Sequence, residues 1–129
     1  MPQNFSEAKP ATGDRFVRFR LRNCNSTSDT QQGHFCVPYQ GRIKKGYFVL
    51  EGNPSANWSA DIITANGTLS KALYIDDVGH ANVGTDESFY CEVSPMDDKA
   101  QVAVGDTVRI KTNDVSGSAT SVYGWIVIG

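Results

Sequence analysis

The chain has 129 residues and a net charge of −2, with 40% hydrophobic and 20% charged residues. That length fits one domain able to bury about two-thirds of its unfolded surface, and the balance excludes a disordered or fibrous chain. The longest apolar run, Trp125–Ile128, is far short of the 18 or so residues of a membrane helix. Met1–Ser6 has neither a basic nor an apolar region, so no signal peptide is expected.

Residues 1–14 are polar, contain Pro2, Pro10 and Gly13, and read as an extended N-terminal arm. A single domain is expected over residues 15–129. From Arg15 the chain alternates: Val17, Phe19 and Leu21 point one way and Arg18, Arg20 and Arg22 the other, the period of a half-buried strand. Asn23 to Gln32 is a polar loop, and a short strand at His34–Val37 is stopped by Pro38. Gly41 to Glu51 is the strongest strand signal, closed by the turn cluster Gly52-Asn53-Pro54-Ser55.

Trp58–Thr64 and Thr68–Ile75 form a predicted hairpin about Asn66-Gly67, a dipeptide that favours a type I′ turn. Asp76–Glu87 is an acidic loop, Ser88–Val93 alternates again, and Pro95 ends it. Gln101–Val104, Thr107–Thr112 and Thr120–Ile128 complete the pattern. No window shows a helical period. Eight to nine short strands at this spacing predict an all-β fold, an antiparallel β-sandwich of jelly-roll type.

Charge is unevenly placed. Residues 1–45 carry eight basic residues against three acids, and residues 46–129 carry four basic residues against eleven acids. Such polarity suits one face for an acidic partner and another for solvent. A nucleic-acid binder would be basic overall, so no nucleic acid is expected as a partner. Cys24, Cys36 and Cys91 are an odd number, which forbids a complete set of intrachain disulfides and favours small buried thiols. The sequons at Asn4, Asn25, Asn57 and Asn66 are read as by-products of an Asn-, Ser- and Thr-rich chain.

The candidates for chemistry are weak. His34 and Cys36 share one strand face, and Cys24 or Cys91 could join them, yet no zinc spacing occurs. A Cys91 nucleophile with His34 or His80 as base lacks anything to lower its thiol pKa. The pairs Asp76-Asp77, Asp86-Glu87 and Asp97-Asp98 match no calcium loop. Trp58, Trp125 and the tyrosines at 39, 47, 74, 90 and 123 sit at strand positions where aromatics fill a core. No catalytic residue, metal or cofactor is expected, and the chain is read as a non-enzyme.

From Gly41 onward the elements are Gly41-Arg42-Ile43-Lys44-Lys45-Gly46-Tyr47-Phe48-Val49-Leu50-Glu51-Gly52-Asn53-Pro54-Ser55-Ala56, a middle pair of strands, and Val102-Ala103-Val104-Gly105-Asp106-Thr107-Val108-Arg109-Ile110. With a Ser/Gly turn and a closing apolar strand, they resemble a small jelly-roll module of tailed-phage virions, over roughly residues 41–129. Such modules occur in capsid decoration (cement) proteins and in fibre heads. The resemblance implies a virion structural protein on the capsid surface, made in the host cytoplasm, self-associating (often as a homotrimer) and bound to the major capsid protein. The arm and the Arg-rich strand depart from the module and are read as its attachment region, with Arg15, Arg18, Arg20 and Arg22 as partner-binding residues. A receptor- or glycan-binding fibre head is the alternative, and a small β-sandwich enzyme or metal-binding domain is a further one. No membrane is expected as a partner.

Overall fold

A computed structural model describes residues 13–22, 33–54, 58–74, 87–94, 96–113 and 117–129. The described residues form nine strands and one three-residue 3-10 turn at Asp98–Ala100. The strands are β1 (Arg15–Arg22), β2 (Gly33–Cys36), β3 (Gly41–Pro54), β4 (Ser59–Thr64), β5 (Gly67–Tyr74), β6 (Glu87–Glu92), β7 (Gln101–Val102), β8 (Thr107–Thr112) and β9 (Gly117–Ile128).

Two antiparallel sheets pack together, one in the order β1-β9-β3-β6 with β7 on β3, the other in the order β2-β8-β4-β5. Leaving the two-residue β7 aside, the pairs nest: β1 with β9, β2 with β8, β3 with β6 and β4 with β5. This is a ribbon of paired strands folded over on itself, the order of a jelly roll. The predicted all-β sandwich is therefore present.

Alternation along each strand sends one set of side chains between the sheets. Phe19 and Leu21 of β1, Phe48 and Leu50 of β3, Ile62 of β4, Leu69 and Leu73 of β5, Val108 and Ile110 of β8, and Val122, Ile126 and Ile128 of β9 are all buried there. Trp58 packs on Phe48 with ring centroids 5.7 Å apart. Cys91 lies in this core, where its thiol donates to the Tyr74 carbonyl and its sulfur accepts the Tyr74 N–H, both at 3.3 Å. That contact ties β6 of one sheet to β5 of the other.

Several expectations need correction. Cys36 is exposed, because Phe35 and Val37 take the inward positions and leave Cys36 on the outer face. The hairpin turn is Ala65-Asn66, and neither residue has positive φ, so it is not type I′; Gly67 carries the positive φ of 138°. β3 runs on to Pro54 because Gly52, Asn53 and Pro54 pair with Ala119, Ser118 and Gly117, which also starts β9 earlier than expected. Tyr74 and Trp125 are exposed where burial was expected. Most of the arm, Cys24, His80, Asp76, Asp77, Asp86 and the sequons at Asn4, Asn25 and Asn57 lie outside the described residues.

Candidate functional site

The two sheets present different outer faces. On β1, Phe16, Arg18 and Arg20 occupy the positions opposite in sense to the buried Phe19 and Leu21. On β9 the buried Val122, Ile126 and Ile128 leave Tyr123 and Trp125 pointing outward, and on β3 the buried Phe48 and Leu50 do the same for Tyr47 and Val49. Strand register lines these side chains up in rungs, since directly paired residues share a face. One rung is Phe16, Val127, Lys45 and Glu92; the next is Arg18, Trp125, Tyr47 and Tyr90; a third is Arg20, Tyr123 and Val49.

The middle rung is the centre of the face. Tyr47 stacks on Tyr90 with centroids 5.5 Å apart and planes at 27°. The Lys45 ammonium sits 5.9 Å over the Tyr90 ring, and the Tyr90 hydroxyl donates to Glu92 at 2.5 Å. Trp125 is 41% exposed and Phe16 47%, large values for residues that could bury most of their surface. Val127 is fully buried on this outer side, apart from the core cluster, between Phe16 and Lys45 in its rung. At the far end Ser121 donates to Glu51 at 2.6 Å.

The four arginines expected to bind a partner do not act alike. Arg18 and Arg20 are exposed on this face, and among the described residues neither makes a hydrogen bond, ion pair or ring contact. Two acids among the described residues are engaged elsewhere: Asp106 accepts the Ala103 N–H at 2.9 Å, and Glu92 accepts from the Tyr90 hydroxyl. Arg15 belongs to the opposite alternation and lies 5.2 Å over the Tyr39 ring, so it is separate from the pair. Arg22 pairs with Ser121 in register, and its side chain lies outside the described residues.

The Tyr47 hydroxyl is buried without a partner among the described residues. Burial pushes its pKa above the ordinary tyrosine value, and the negative charges of Asp14 and Glu92 push the same way. Asp14 itself is nearly inaccessible, 2.9 Å from the Lys44 ammonium, which pins the start of β1 beside β3.

The other sheet's outer face is of the solvated kind. Its rungs pair His34 with Arg109, Arg109 with Ile63, Cys36 with Thr107 and Lys111 with Asp61. Asp61 accepts from the Lys71 N–H at 2.8 Å and the Asn113 amide at 2.6 Å, and Arg109 and Lys111 each interact within the chain. His34 and Cys36 are exposed there, and among the described residues no three His, Cys, Asp or Glu side chains gather as metal ligands. Asp97 and Asp98 have a local role: the Asp97 carboxylate caps the 3-10 turn by accepting the Lys99 N–H at 3.0 Å, while Arg42 donates to the carbonyls of Ser94 and Asp97.

The arginines were visible in the sequence and the aromatics beside them were not. The available signal was the sense of Tyr123 and Trp125, which fall opposite to Val122, Ile126 and Ile128. No family model, curated relative or solved structure matches this chain. Among the described residues no helix is long and apolar enough to cross a membrane.

Proposed function

We propose that the chain is a virion structural protein, a decoration protein that binds the outer surface of a phage capsid as an oligomer and stabilises it. The observation that supports this reading is the pair Arg18 and Arg20, unpaired within the described chain, on the same face as an exposed Trp125. Trp, Tyr and Arg are the residues enriched at the energetic centres of protein interfaces. The partner on this reading is the major capsid protein, offering an acidic patch. The expected self-association, a homotrimer, multiplies weak contacts through effective concentration when several copies engage one lattice.

Replacing Arg18, Arg20 and Arg22 together by Ser tests the reading. The β-type circular dichroism should be kept while co-sedimentation with capsids weakens. Wild-type binding should fall as salt rises from about 50 to 500 mM, because exposed charges are screened. Binding by the triple variant equal to wild type would remove the arginines from attachment. The fibre-head reading draws on the same exposed indole, which is also a surface for stacking a sugar ring; binding to immobilised glycans without binding to capsids would favour it.

A further inference from the structure

Arg18 and Arg20 are two residues apart on one strand, so their Cα atoms are separated by about 6.7 Å. An extended polypeptide places carboxylates at alternate positions at the same spacing of about 6.7 Å. Such a segment can meet both guanidinium forks at once without bending. The residues directly across from Arg18 and Arg20 are Trp125 and Tyr123, which supply an apolar surface and, among the described residues, no counter-charge. Four strands at about 4.8 Å spacing and some three rungs give a face on the order of 400 Å², about half of what each partner commonly buries in a stable protein–protein interface. That size fits a chain segment better than a second folded domain.

We propose that this face binds an extended acidic segment of a protein partner. Alternate carboxylates of the segment fork onto Arg18 and Arg20, and its intervening apolar side chains lie on Trp125 and Tyr123. The inference deepens the decoration reading and rests on it only for the owner of the segment. Arginines on an edge strand also deter edge-to-edge pairing. That role needs only positive charge and gives no reason for an exposed indole in the same rung. Nucleic acid would use similar groups, but Glu92 and Glu51 sit on the same face and the chain is acidic overall, with a pI near 5.6.

The test uses the full chain and a synthetic peptide of alternating Glu and Val. Trp58 is buried, so iodide quenching reports chiefly on Trp125. The peptide should shield Trp125, and a peptide of the same composition with its acids grouped at one end should bind more weakly. Arg18→Ser with Arg20→Ser should weaken binding about tenfold or more, since each fork contributes charge-assisted bonds. The Arg18→Lys, Arg20→Lys variant should recover only part of it. Circular dichroism checks that both variants keep the β fold.

Absence of shielding, equal binding by the Ser variant, or tighter binding of an oligothymidylate than of the peptide would overturn the proposal. So would self-association of the wild type that shields Trp125 and is lost in the Ser variant, because a second copy would then be the occupant. Peptide binding without capsid binding would leave this site standing and remove the decoration reading. Capsid binding that is indifferent to both arginines would do the reverse.

Discussion

Tyr47 shows how one side chain can serve a face while costing the fold. Its ring completes the stack with Tyr90, but its hydroxyl is buried with no partner among the described residues. A buried hydroxyl left unsatisfied costs about 1–3 kcal/mol. Tyr47→Phe keeps the ring and removes that cost, so a thermal melt near neutral pH should show an unchanged or higher Tm, by a few degrees at most. The pH dependence has a definite sign. The folded-state pKa is raised, so the native state holds the phenol proton more tightly than the unfolded state does. The stability linked to Tyr47 is therefore complete below the ordinary tyrosine value near 10 and is lost as pH rises from there through the raised folded-state value. Melts between about pH 8 and 11 should show a shallower alkaline decline for Tyr47→Phe, so that its Tm draws further above that of wild type as pH rises. A decline of equal slope in both proteins would remove this role from Tyr47.

The strand pair β3–β9 carries most of the lesson at the level of elements. Gly124 stands in the inward rung between Phe19 of β1 and Phe48 of β3, and a Cβ there would run into the Tyr47 carbonyl oxygen and come within 2.7 Å of the Phe48 Cα. Because those obstacles are backbone, Gly124→Ala should cost several kcal/mol, on the order of 4 or more, a large part of the roughly 5–15 kcal/mol that holds a domain folded. Urea unfolding would measure the loss, and a change under about 1 kcal/mol would show that the two strands part more easily than this geometry allows. The same pair marks how far the sequence could be read. Alternation exposed β1 and β8 because each has one wet and one dry side. The ends of β3 and β9 were hidden because Gly52-Asn53-Pro54 has turn chemistry and is held extended only by pairing with Gly117–Ala119. The turn at Ala65-Asn66 was displaced by one residue for a similar reason: the register of Thr64 with Gly67 decided which two residues make it. The aromatic face was hidden because an aromatic strand residue looks alike in either sense until its neighbours' register is known. Arg18 and Arg20 needed no such knowledge, since a charge in an alternating strand has only one economical side.

At the scale of the whole molecule, the two outer faces differ: on one, Arg109 and Lys111 interact within the chain, and on the other Arg18 and Arg20 have no partner among the described residues and stand beside an exposed indole on a small area. A small face suits repeated weak contacts, so on the decoration reading sedimentation equilibrium at micromolar concentration should give about three times the 14.0 kDa chain mass. A monomer there would remove the solution trimer. The strand order has a consequence in time. β9 lies between β1 and β3, so the sheet that bears the face has no middle until its last strand has been made. At about 5–20 residues per second, β1 leaves the ribosome on the order of ten seconds before β9, its one neighbour in that sheet among the described strands. Through that interval Val17, Phe19 and Leu21 have no sheet to join, and Arg18 and Arg20 have no indole beside them. On the proposed reading, recognition by this face therefore waits until β9 has been made, whatever the state of β1 before then.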